Sequence, residues 1–295
     1  MAQAIISRRG GYATITFNGV YALKKIEVVP LKEPQCYLAA TTVGDYALFG
    51  GGAGNGYVSR IDAYNTSLTK TVNRSLSVAR RDLAATTVGN YALFGGGNNG
   101  SYSSTVDAYN TSLIRTIPTA LSVARDNLVA TTVGNYALFG GGGSSNGRLA
   151  TVDAYDSSLT RTTPTVLSVA RDELAATTVG NYALFGGGNS NGNSSTVDAY
   201  DTSLTRTTST GLIEMRSYLA ATTVGNYALF GGGWGSNGPT KTVDAYYVNN
   251  KVLVYPGTKY KLGSMSSESI SSTMQEIETT APITGYIKIK DATIN

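Results

Sequence analysis

The seven-residue phrase Tyr-Ala-Leu-Phe-Gly-Gly-Gly occurs five times, beginning at Tyr46, Tyr91, Tyr136, Tyr182 and Tyr227. The starts lie 45, 45, 46 and 45 residues apart by subtraction. A period of that length marks a repeat protein, in which each unit buries its apolar surface only against its neighbours.

Residues 121–165 show what one unit contains. Apolar and small residues alternate through 128–133, Gly134-Asn135 supplies a two-residue hairpin turn, and residues 136–139 form the second strand. A Gly/Ser/Asn loop then reaches residues 151–155, where Val152 and Ala154 are expected on one face and Asp153 and Tyr155 on the other, polar one. A Thr-rich fourth segment around 161–165 leads to the next repeat. Each unit therefore reads as a four-stranded antiparallel sheet with no room for a helix.

Four strands in about 45 residues is the size of a propeller blade. The pattern resembles the kelch repeat in three features: the Gly-Gly pair after an aromatic strand (Phe94-Gly95-Gly96), the later Val106-x-x-Tyr109-Asn110 element, and an Arg before the first strand, as at Arg125. The resemblance covers roughly residues 35–255 and implies an all-β, kelch-type β-propeller of five four-stranded blades. Thr71, Thr116, Thr162 and Thr207 stand where the kelch pattern has Trp, so lighter packing between blades is expected, and Gln35 replaces the Arg of the first unit.

The flanks divide the chain into residues 1–34, 35–256 and 257–295. Residues 12–17 and 20–23 alternate around Asn18-Gly19, a hairpin signal, and residues 25–30 read as a further strand. Residues 252–255 fill the fourth-strand slot of the last blade. Ile270, Met274 and Ile277 sit at helical spacing, and residues 283–289 return to a strand pattern. The flanks either form a small β-rich module beside five blades or join in a composite sixth blade; Tyr21-Ala22-Leu23, an echo of the repeat, keeps the second arrangement open.

The chemical inventory excludes more than it offers. The chain has no His, which removes the commonest general base and most zinc and copper sites. Gly95-x-Gly97-x-x-Gly100 matches a dinucleotide fingerprint in letters only, because a strand and not a helix N-terminus follows it. Asp62, Asp107, Asp153, Asp198 and Asp244 recur once per unit, either as a carboxylate ring or as the repeated polar position of the third strand. Arg80, Arg125, Arg171 and Arg216 are expected to tie adjacent blades through backbone carbonyls or neighbours such as Asp126 and Asp172, a central arginine ring being the alternative. No catalytic residue, metal site or cofactor is expected.

Cys36 is the single cysteine, so no intrachain disulfide is available. The net charge of +4 is scattered, without a basic stripe for nucleic acid. Residues 1–11 lack an apolar run of signal-peptide length and no segment approaches a membrane span, so neither secretion by that route nor membrane insertion is expected.

The units differ chiefly in the loop after the glycines, and a face that varies on a copied scaffold is where a repeat protein places recognition. Tyr57, Tyr102, Arg148, Trp234 and Lys241 are the side chains there with the area or charge to anchor a ligand. Residues 2–11, Ala-Gln-Ala-Ile-Ile-Ser-Arg-Arg-Gly-Gly, look like the opening of tail or fibre proteins of phages and phage-like particles of Gram-positive bacteria. That resemblance implies a virion component, oligomeric in its particle, attached to other tail proteins through its flanks and displaying the propeller to a host-surface glycan or protein. A cytoplasmic kelch scaffold for protein partners is the alternative, and a propeller enzyme the weakest reading.

Overall fold

A computed structural model describes residues 3–9, 12–18, 25–248, 250–254 and 275–279, with side chains placed from 25 to 248 except at 72 and 73. The chain forms two compact units, residues 1–30 and 31–295. In the first, Gln3–Arg9 pairs with Tyr12–Asn18 as an antiparallel ribbon. The described partner of Tyr12–Asn18 thus precedes it, whereas the hairpin expected around Asn18-Gly19 continues into 20–23, outside the described residues. Residues 25–30 are exposed and form no ladder, so the strand expected there is not made.

In the second unit the repeats become sheets whose strands follow one another in chain order. Blade 1 consists of Ala39–Val43, Tyr46–Gly50, Arg60–Asn65 and Lys70–Ser75. Blade 2 consists of Ala84–Val88, Tyr91–Gly95, Val106–Asn110 and Arg115–Thr116. Blade 3 has Val129–Val133, Tyr136–Gly140, Val152–Asp156 and Arg161–Thr162, and blade 4 has Ala175–Val179, Tyr182–Gly186, Val197–Tyr200 and Arg206–Thr208. Among the described residues, blade 5 has three strands, Ala220–Val224, Tyr227–Gly231 and Val243–Tyr247.

The ends of the fifth repeat depart from expectation. Residues 252–255 are expected as the fourth strand of blade 5, but the strand formed there, Asn250–Val254, pairs instead with Gln275–Thr279 in a separate two-stranded sheet. Ile277 therefore lies in a strand and not in a helix; Ile270, Met274 and residues 283–289 fall outside the described residues. No helix occurs among the described residues.

The core lies between blades, not within them. Four apolar clusters form, one at each junction: Leu93 and Val106 of blade 2, for example, pack with Phe139 and Tyr155 of blade 3. The knob in each case is the Phe of the repeated phrase, and the hole is the first glycine of the phrase one blade earlier, the residue that ends the second strand. A methyl group on Gly95 would stand 2.8 Å from the Phe139 ring, and one on Gly140 would stand 2.6 Å from Phe185. Each Phe also meets the third-strand Tyr of its own blade edge-on, as Phe139 meets Tyr155 at 5.9 Å and 87°. Both faces of the third strand are consequently buried; Asp153 and Tyr155 are as inaccessible as Val152 and Ala154, which corrects the expected polar face.

The linkers clamp the junctions. Arg125 takes its backbone bonds from blade 2, donating N–H to the Ser103 carbonyl at 3.0 Å and accepting from Gly97 N–H at 2.8 Å. Its side chain belongs to blade 3: Nη2 donates to the Phe139 carbonyl at 3.1 Å and meets Asp153 at 2.8 Å. Arg80, Arg171 and Arg216 repeat this with Asp107, Asp198 and Asp244. The arginines do tie adjacent blades through carbonyls, but their carboxylate partners are the recurring third-strand aspartates and not Asp126 or Asp172. Those four aspartates are thereby committed to guanidinium groups. In blade 1, where Gln35 replaces the Arg, Asp62 pairs with Lys70 at 2.9 Å.

Threonines bridge the innermost strands. Thr41, Thr86, Thr131 and Thr177 each share a hydroxyl hydrogen bond with the blade ahead, at Thr87, Thr132, Thr178 and Thr223, at 2.8–2.9 Å.

Candidate functional site

The linkers cross one face of the arc of blades, and the two residues between each Arg position and the following Leu turn there. They read Cys36-Tyr37, Arg81-Asp82, Asp126-Asn127, Asp172-Glu173 and Ser217-Tyr218. The first of each pair exchanges backbone hydrogen bonds with the first residue of its blade's variable loop: Cys36 with Ala53, Arg81 with Asn98, Asp126 with Gly143, Asp172 with Asn189 and Ser217 with Trp234. Linker dipeptides and variable loops therefore share one face.

The second of each pair projects to the centre. Tyr37, Asp82, Asn127, Glu173 and Tyr218 all have left-handed backbones, with φ between 49° and 56°. That conformation is uncommon for residues with a Cβ, and its recurrence here shows that the surrounding bonds over-determine it. The turns are linked as steps: Asp82 N–H donates to the Tyr37 carbonyl at 3.0 Å, Asn127 to Asp82 at 3.1 Å, and Tyr218 to Glu173 at 3.0 Å. Together the five line an open cavity of about 320 Å³ above the leucine that follows each of them. That volume matches a small polar ligand such as one or two sugar rings.

Charge within this mouth is predominantly negative. Asp82, Asp126, Asp172 and Glu173 face Arg81 and Arg148. Arg148 Nε pairs with Asp172 at 2.8 Å and its Nη1 reaches Asn191 at 3.3 Å; Asn98 donates to Asp126 at 3.0 Å. Arg81 stacks over the Tyr37 ring at 5.6 Å and lies 3.5 Å from Asp82. Burial raises the Asp82 carboxyl above its ordinary range, Arg81 opposes that shift and Asp126 adds to it. The Tyr218 hydroxyl donates to Glu173, and this bond holds the phenol proton up to about pH 12.

The residues singled out from sequence fall at three register positions of this face. Tyr57, Tyr102 and Arg148 are equivalent, each paired across its loop with Ala53, Asn98 or Gly143. Trp234 occupies the opposite register position and is 55% exposed, which leaves its indole free for contact. Lys241 lies further out and is exposed. The structure joins Arg148 to the mouth through Asp172 and Trp234 to blade 4 through Asn193, whose side chain donates to the Trp234 carbonyl at 2.7 Å. Tyr57 instead borders a separate cavity of about 420 Å³ with Glu33, Arg60 and Arg74. The mouth residues themselves escaped the sequence reading; the available signal was the non-identity of one dipeptide between a position that is Arg in four of five units and an invariant Leu.

Chemically the face offers carboxylate and amide acceptors, phenolic and guanidinium donors and exposed rings. Among the described residues no group of three or more Cys, Asp and Glu side chains is placed to hold a metal ion.

No protein-family model matches the sequence, and no curated protein is significantly similar to it. The solved structure of YjhT superposes on the chain with a TM-score of 0.60, covering 84% of this chain and 88% of YjhT at 12% identity. At that identity the likeness concerns the fold alone: the chain is an all-β propeller.

Proposed function

We propose that the protein is a non-enzymatic recognition module of a virion or phage-tail-like particle, whose propeller binds a host-surface glycan or protein through the face that carries the variable loops and the central mouth. The observation that carries this reading is the confinement of variation to one face: the strands, glycines and arginine clamps are copied, while the mouth dipeptides and loops differ from blade to blade. Exposed Tyr37, Tyr57, Tyr102, Tyr218 and Trp234 stand on that face among Asn, Ser and carboxylate groups. Rings that stack on sugar faces, beside acceptors for sugar hydroxyls, suit a neutral or amino-bearing glycan better than an acidic one. The opening residues 2–11 support assignment to a particle, with the flanks as the attachment to other tail proteins and several copies per particle.

The test is direct. Mass spectrometry of purified particles should find the protein, and the purified full chain should bind Gram-positive cells or their wall glycans; failure of both overturns the proposal. A cytoplasmic scaffold would instead retain a soluble protein partner in a pull-down and show no cell binding. An enzyme is disfavoured by the lack of His and by blades that are near-identical in their strands.

A further inference from the structure

Blade 5 presents one half of a junction that is complete four times elsewhere. Val43, Val88, Val133 and Val179, which end the first strands of blades 1–4, are at most 4% exposed, whereas Val224 is 59% exposed. Ile61, Val106, Val152 and Val197 are at most 1% exposed, and the equivalent Val243 is 57% exposed. Gly50, Gly95, Gly140 and Gly186 are each covered by the Phe of the next blade; a methyl group on Gly231 would meet only Val243 of its own blade, at 3.6 Å. The threonine bridges also stop here: in the pattern of the other junctions, Thr222 and Thr42 are the unmatched ends.

The gap admits a narrow occupant. Tyr37 of the first linker and Tyr218 of the last line the same central cavity, so the five blades already pass most of the way round the axis. A second copy docked on blade 5 in the manner of the next blade would run into blade 1. The chain supplies something smaller. Two residues separate Tyr247, the end of blade 5, from Asn250–Val254, whose partner among the described residues is Gln275–Thr279. A two-stranded sheet alone in water is marginal and needs a surface to pack on. By the strand alternation and register, Val252, Val254 and Ile277 fall on one face of the pair, which can serve as one side of a junction.

We propose that the pair Asn250–Val254 and Gln275–Thr279 docks on the open face of blade 5 as a partial sixth blade and covers Val224, Gly231 and Val243. The two-residue tether gives it a high effective concentration at that face, which a separate molecule cannot match. This inference concerns how the propeller ends and does not depend on the ligand proposed above.

Two measurements on the full chain test it. In a Cys36→Ser background, Val243→Cys with Val252→Cys should be joined within one chain by a short bismaleimide, as should the control pair Thr177→Cys with Thr223→Cys at an established junction. A crosslinked dimer, or no Val243–Val252 crosslink while the control reacts, overturns the proposal. Separately, Val243→Glu should lower the melting temperature by about 3 °C or more, since it buries a carboxylate under the docked pair; an unchanged melting temperature overturns it.

Discussion

Arg125 belongs to two blades at once, by its backbone to one and by its guanidinium to the next, and it is fully buried with Asp153. Burial pulls the guanidinium of Arg125 down from its usual value while Asp153 pulls it back, so the pair persists as an ion pair held by carbonyls. Arg125→Ala leaves a buried carboxylate without its main partner and should cost about 3–5 kcal/mol, read from urea denaturation. The junction tyrosines give a second test. Tyr155 and Tyr200 donate to the Thr119 and Thr165 carbonyls at 2.7 Å, and burial raises both phenols above their ordinary value; Tyr246 is raised to about 12. A phenol whose folded pKa exceeds its unfolded value contributes stability that is complete below about pH 10 and is lost as pH rises towards the folded value. Denaturation midpoints should therefore hold up to about pH 10 and fall between pH 10 and 12.

At the scale of elements, the repeated phrase acts at a junction through its first glycine, the residue that ends the second strand. Gly140→Ala would drive a methyl group into the Phe185 ring and should destabilise by about 1–3 kcal/mol, measured by thermal or urea unfolding. The blades were legible in the sequence because five copies report the same period, turn and glycine pair. The partner of each arginine was not, since a spacing along the chain does not say which strand lies beneath a linker; Asp153, not Asp126, lies there. The flanks were read least well. They occur once, and Asn250–Val254 fits a blade strand by composition, although its partner begins 21 residues further on, at Gln275.

At the scale of the whole molecule, variation and exposure coincide on one face. Trp234→Ala and Tyr102→Ala should each weaken binding to host cells or wall glycans by about tenfold, with the melting temperature unchanged because neither side chain enters a junction. The loops were visible in the sequence as a variable surface. The mouth was not, because Tyr37, Asp82, Asn127, Glu173 and Tyr218 converge only when the linkers cross the axis.

The arginine clamp has a consequence for how such a chain can grow. A segment cut at a sheet boundary parts each guanidinium from its aspartate or from the carbonyls that hold its backbone, but a segment cut from one arginine to the next carries a matched plug and socket. The self-contained unit of this architecture is thus the span from one arginine to the next and not the sheet.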